Sequence, residues 1–431
     1  MANTIHTSDV FGVSTNINSY SYVDRRNLDS KLRRYLRRNV HIAIKGPSKC
    51  GKSWLRQKCM ENAIVVQCRL GMTVDDIYKS VLSSIGVEFD MSVAVSKGAD
   101  TNLEGQLEAK LPGIAKSNFG VGTSFSCQKA KEYGQVYSNS STNLKFIAEK
   151  IRDSKCRIVI EDFHYLDLTV RNILAHDLKT FWDYSCYWVI IGVWTQTNLL
   201  TSMNPDLTGR IEEIPISWSD EELLKVIDQG SDVLNIEIDR QIKRDLIQDS
   251  FGNVGILQGL LLRVIEDEAN IEEQSPIKCI IANPNFYQNA AKNYATQLDG
   301  LYQQFAQTLS AGIRRRKQST GIYALAMEAI VNAADEKLMV GYSRSDIFEV
   351  TNAKEPRIKK GNLKTVLGKL VELQNPETGR GLVISYDDSI DAIFVVDLQF
   401  LFYRKHHTMQ WPWEEMAEEA RQFSLFESED E

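Results

Sequence analysis

The chain has 431 residues, 43% of them hydrophobic and 25% charged, with only 9 prolines. That is enough for two or three domains with packed cores, and it excludes wholesale disorder. A net charge of -7 removes any argument from bulk positive charge for nucleic-acid binding. The charge is uneven, with seven basic side chains over 25–38, basic stretches at 314–317 and 357–364, and eight acidic side chains among the last eighteen residues. No apolar run reaches the ~18 to 20 residues a membrane-spanning helix needs, and residues 1–6 carry no signal-peptide pattern. The seven cysteines are scattered without a CxxC pair, which speaks against a disulfide framework or zinc site. A cytoplasmic protein without a membrane partner is expected.

Taken in chain order, three β-branched apolar runs dominate the first half, at 41–46, 157–162 and 187–193. They read as strands buried on both faces of a parallel sheet, with weaker candidates at 64–68 and 211–216. Helical spacing at 52–62, 73–85 and 142–153 alternates with them, the pattern of an α/β doubly wound core. Residues 86–141 are rich in Gly, Ser, Lys and Asn and read as an insertion. From 219 the chain turns helical, with an N-cap at Ser219 and further periodicity at 239–250, 254–268 and 284–316. Helices over 322–334, 343–350 and 361–373 are followed by two strands, 381–385 and 392–397. Three helices and a ribbon are the order of a winged helix. No internal repeat is present.

Chemistry concentrates first at Gly46-Pro47-Ser48-Lys49-Cys50-Gly51-Lys52-Ser53, a full GxxxxGK[ST] match after a strand and before a helix. Glycines let the backbone wrap an anion, and the amides with the helix N-terminus donate to phosphates. Lys52 is expected to reach the outer phosphates and Ser53 to ligate Mg2+, with Trp54 next in line at the nucleotide. The run ending in Glu161 and Asp162 supplies two carboxylates at a strand's C-terminal end. One would hold the metal and the other polarise an attacking water. By position Glu161 is the metal-side acid; the Glu-Asp order leaves the two roles open to exchange.

Over about residues 18–270 this combination resembles the AAA+ and STAND superclass of P-loop ATPases, particularly the origin-recognition-like and archaeal-type branch. The resemblance rests also on Ser21-Tyr22-Val23-Asp24-Arg25, on Gly192-Val193-Trp194-Thr195-Gln196 and on Asp206-Leu207-Thr208-Gly209-Arg210. It implies that Tyr22 and Arg25 enclose adenine and that Thr195 or Gln196 senses the γ-phosphate. It also implies that Arg210 acts on a neighbouring subunit's ATP. Phe251 to Gly255 lies where the lid helix begins, without the arginine usual at that start. ATP and Mg2+ as ligands, ATP hydrolysis and a homo-oligomer are what the resemblance implies. It further implies an effector on another chain and a setting such as prokaryotic antiviral defence. A DNA-assembling ATPase of replication or transposition, and a scaffold that binds ATP without turning it over, are the rival readings.

The expected architecture is therefore an α/β P-loop core over 1–218, a helical lid over 219–316, a winged helix over 317–408 and an acidic tail over 409–431. Within the winged helix, Lys359, Lys360, Lys364 and Lys369 suit duplex DNA, whereas Asp387, Asp388 and Asp391 make the wing a poor phosphate partner. His164 reads as a residue behind the acidic strand. His406-His407 is too short of ligands for a metal, and Trp411-Pro412-Trp413 reads either as a partner-binding segment or as a strap over the winged helix.

Overall fold

A computed structural model describes residues 4–87, 143–311, 320–374 and 382–416. Most of the 86–141 insertion, the 314–317 basic run and the end of the acidic tail lie outside the described residues. A short helix α1 (Thr7–Val10) precedes α2 (Leu28–Leu36), β1 (His41–Lys45), α3 (Lys52–Cys59), β2 (Ala63–Gln67) and α4 (Val74–Ser84). Then follow α5 (Leu144–Ser154), β3 (Arg157–Glu161), α6 (Leu168–Asp183), β4 (Trp188–Gly192), α7 (Leu199–Met203) and β5 (Ile211–Pro215).

The five strands form one parallel sheet in the order β2-β3-β4-β1-β5. Alternation along each strand sends side chains to two apolar layers. Ile42, Ile44, Val159 and Val189 pack with Leu32 of α2 and Leu55 of α3 on one face. Ala43, Ile158, Ile160 and Trp188 pack with α4, α5 and α6 on the other. Every residue of β1 and β4 is buried, as the unbroken apolar runs require.

Next come α8 (Asp220–Leu234), β6 (Ile236–Ile238), α9 (Arg240–Gln248), α10 (Val254–Leu262), β7 (Cys279–Ile281) and α11 (Pro284–Ala311). Ser219 starts α8 with the expected capping box, its hydroxyl accepting from Glu222 N while Glu222 accepts from Ser219 N. Within the 284–316 periodicity, Pro284–Ala311 is one helix of 28 residues, and 312–316 lie outside the described residues. The parallel pair β6 and β7 has three residues a strand, too short to leave a period in the sequence.

The last elements are α12 (Ile322–Val331), α13 (Asp335–Val340), β8 (Tyr342–Ser343), α14 (Arg344–Lys354), α15 (Lys360–Leu373), β9 (Ile384–Asp387), β10 (Ala392–Val395) and α16 (Gln399–His406). The helices and ribbon assigned to a winged helix are present, with β8 added to make a three-stranded antiparallel sheet β8-β10-β9. The Gln374 amide clips α15 to the ribbon, donating to Ile384 O and accepting from Val383 N and Ile384 N.

Two packing facts cut across the sequence divisions. Val10 and Phe11 join the core of α8 and α10 rather than that of the sheet, and the α1 segment is bonded to the lid through Thr7 N to Glu272 O at 2.8 Å. Lid and C-terminal elements also share one continuous apolar core running from Leu223 to Trp413. The strap reading of the Trp411–Trp413 segment is the one the packing favours. Both indoles are buried and stacked at 4.8 Å, and Trp411 lies edge-on against Tyr403. Among the described residues no helix is long and apolar enough to cross a membrane.

Candidate nucleotide-binding site

The glycine loop leaves the C-terminal end of β1 and becomes α3 at Lys52. Its path needs two left-handed residues, Lys49 at φ 59° and Gly51 at φ 85°. Any side chain at Gly46 would meet Cys50 Sγ and Ile216 O, each at 2.9 Å, so the loop fits closely against the chain leaving β5. Lys52 is buried within the loop, its ammonium donating to Gly46 O at 3.0 Å and to Pro47 O. The neighbouring Ser53 is exposed at the first turn of α3, open to a phosphate-bound metal.

The acidic pair stands where the sequence reading placed it, at the end of β3, and both members already have partners. Glu161 is 5% exposed and accepts from Arg56 Nε at 3.0 Å. Arg56 lies one helical turn beyond Lys52, so α3 presents two cations toward the strand end. Asp162 takes a left-handed φ of 55° and accepts from the Gln67 amide at the end of β2. Behind them His164 accepts from Val193 N at 3.3 Å, and burial, helped by the Lys52 charge, pushes its imidazole down to about 4. It is a neutral residue bridging the acidic strand to the exit of β4.

Tyr22, Arg25, Gly51, Trp54, Trp218 and Gln258 line a tight cleft of about 10 Å³ beside the loop, room for about one water. Arg25 is 3% exposed, donates to Cys50 O at 2.9 Å and stacks on the Trp218 ring at 4.3 Å. Burial holds its guanidinium below the ordinary arginine value. The Tyr22 hydroxyl donates to Asp29 at 2.7 Å and titrates well above the tyrosine range, chiefly through burial. Its walls are aromatic and mostly apolar, and the cleft must widen before a flat heterocycle could enter.

Beyond β4, Thr195 and Gln196 are exposed on the segment following a strand that pairs directly with β1. Gln196 contributes its backbone, whose carbonyl accepts from Lys45 Nζ at 3.1 Å. Lys45 is paired with Glu213 at 3.0 Å, a half-buried ion pair at the ends of β1 and β5 that the sequence did not single out. Arg210 is not brought to this site. It lies just before β5, at the opposite ends of the strands from the loop, with its guanidinium over Trp182 at 4.8 Å and bonded to Asp206 O.

Two further residues reach the loop from the other units. Asn253 caps α10 through Gly255 N and donates to Ser48 O at 2.8 Å. Gly255 follows it because a Cβ there would sit 2.4 Å from Lys49 Cβ. Gln399 of α16 accepts from Lys49 Nζ at 2.9 Å and donates to Tyr294 OH at 2.7 Å. An Asn before an apolar helix is a readable cap, but nothing local in the sequence marks Gln399. Among the described residues no group of three or more His, Cys, Asp or Glu could hold a metal by itself; His406 instead accompanies Asp249, and His407 stacks on Tyr403.

The core is a P-loop nucleotide-binding fold. Strand, glycine loop, helix and a second strand ending in acids occupy their required places around one sheet edge. No family model and no curated relative matches the chain. Among solved structures it is similar to the Aeropyrum pernix ORC1 protein in complex with DNA, at 10% identity and TM-score 0.41 over 89% of this chain and 91% of that one. It is similar too to the Thermotoga maritima RuvB Holliday junction branch migration motor, at 12% identity and TM-score 0.37 over 89% and 96%. A Pyrococcus horikoshii signal-transduction ATPase of the STAND class with a tetratricopeptide repeat sensor gives 13% and 0.36 over 97% of this chain and 47% of that one.

Proposed function

We propose that this chain is an AAA+/STAND-type switch that binds ATP with Mg2+, hydrolyses it, and couples nucleotide state to assembly and to a partner effector. The observation that carries the reading is the glycine loop wound between β1 and α3 with Lys52 buried in it and the acidic end of β3 alongside. Loop amides and Lys52 hold the phosphates, while Tyr22, Arg25 and Trp54 flank the base. Ser53 and Glu161 would hold Mg2+, which would neutralise phosphate charge there. Asp162, released by Gln67, orients water and accepts its proton, and Thr195 or Gln196 reads the terminal phosphate. Arg210, remote from its own loop, serves a neighbour's nucleotide, and leaving Trp182 is a condition of that role.

The test is ATP hydrolysis as a function of protein concentration, for the wild type and Arg210→Ala. Turnover per chain that rises with concentration and is lost in the variant supports the assembling switch. Concentration-independent turnover that the variant retains refutes a trans-acting Arg210.

The partners on both acids favour a second reading, a scaffold that holds ATP and turns it over slowly. Single-turnover assays of Arg56→Ala and Gln67→Ala separate the two. Release of a restrained acid raises the rate if slow turnover is built in, and an unchanged or lower rate contradicts the scaffold.

A further inference from the structure

A cationic face at the sheet edge opposite the glycine loop has no use in nucleotide chemistry. Around Tyr35 of α2, Lys31 Nζ lies 5.7 Å, Arg34 Cζ 5.8 Å and Arg38 Cζ 4.8 Å from the ring centroid. Arg38 is paired with Glu212, but among the described residues Lys31, Arg34 and Arg37 form no ion pair with a carboxylate. Arg34 and Arg37 are exposed and Lys31 is half-buried. Like charges three and four residues apart disfavour a helix, and they persist here in a protein of net charge -7.

The face is also held rigid. Arg157 donates to Leu36 O at 3.3 Å and Val40 O at 2.8 Å, and the Trp182 indole donates to Asn39 O at 2.8 Å. The C-terminal elements present the reverse case. Lys364 pairs with Asp388 of the ribbon turn, Lys369 with Glu372, Arg344 with Asp391 and Arg357 with Glu355. Those four positive charges have carboxylates beside them, whereas Lys31, Arg34 and Arg37 have none among the described residues.

We infer that the Lys31–Arg38 face of α2 binds a nucleic-acid phosphate backbone. Lys31 and Arg34 lie about 4.5 Å apart along α2, and Arg37 and Arg38 follow its end at Leu36, so a row of cations can meet successive phosphates. Tyr35 amid the cations offers an aromatic edge to sugar or base. The interaction is independent of sequence and of the nucleotide site.

The test uses the full chain and a fluorescein-labelled 20-base-pair DNA duplex, followed by anisotropy across a salt titration. Three or four phosphate contacts predict a slope of log affinity against log salt of about -3 to -4. Lys31→Gln with Arg34→Gln and Arg37→Gln should lower that slope by about three and weaken binding at least 30-fold. Lys359→Gln with Lys360→Gln should leave it near the wild-type value. Matching thermal melts exclude unfolding of the triple variant. No binding at 50 mM salt, equal binding by the triple variant, or binding of anionic vesicles or polyglutamate in place of DNA would overturn the inference.

Discussion

Replacing Arg25 by Ala tests how the loop is held. The guanidinium is almost fully buried, donates to Cys50 O at 2.9 Å and lies 4.3 Å over Trp218. A hydrogen bond to a charged group contributes about 1.5 to 3 kcal/mol, and a desolvated cation–π contact about 2. Two effects reduce that gross sum. Cys50 O keeps its bond from the Trp218 indole at 3.0 Å, so no carbonyl is orphaned, and removing the charge relieves its burial cost. The net expectation is about 2 kcal/mol, followed by urea unfolding with tryptophan fluorescence, where Trp218 reports locally. Because the same bond fixes the loop, affinity for a fluorescent ATP analogue should fall about tenfold or more. Arg25→Lys keeps the charge without the planar fork and should recover less than half of either loss. Stability within about 0.5 kcal/mol of wild type, with unchanged nucleotide affinity, would refute the reasoning.

Gly255→Ala drives a methyl group to 2.4 Å from Lys49 Cβ and 2.6 Å from Lys49 O. The lid must shift, costing about 1 to 3 kcal/mol and exposing the loop to limited proteolysis, whereas an unchanged melting curve would contradict the close approach. Asp249→Asn breaks the latch between lid and α16, where the carboxylate meets His406, Lys405 and Tyr287. With Lys405 well exposed the cost is about 2 kcal/mol, and a loss under about 0.5 in denaturant titration would show the latch to be idle. Acid should weaken the fold in two windows. Burial pushes His41 down to about 3, so it is neutral when folded, and its contribution is full above the free-histidine value near 6.5 and declines as pH falls from there. Burial raises the Asp249 carboxyl, but its three hydrogen bonds outweigh that and hold it below the usual value. Its contribution is thus present above about pH 4 and lost below. Unfolding free energy that stays flat between pH 7 and 4 would contradict the His41 assignment.

How much was legible depended on the reach of the signal. The three inner strands β1, β3 and β4 read clearly because each is β-branched, apolar and bounded, whereas the half-exposed edge strands β2 and β5 read only weakly. The loop, Lys52 and Glu161 came with them, since their spacing is local chain geometry. What escaped depends on contacts across hundreds of residues. Nothing near Gln399 tells that it meets Lys49, and nothing near Phe11 tells that it fills the space left by Gly230. Arg56 was passed over because a cation one turn after a glycine loop has many uses, and only the fold sets it against Glu161. Lys45 is similar: a strand-end lysine reads as solvated until Glu213 is seen beside it.

The central claim is tested most directly by Mg2+-dependent ATP binding and steady-state hydrolysis of the wild type beside Lys52→Ala, each with and without duplex DNA. The account predicts Mg2+-ATP binding that Lys52→Ala abolishes, with turnover lost in the same variant. Binding that survives Lys52→Ala, or a wild type that binds no ATP, would contradict it.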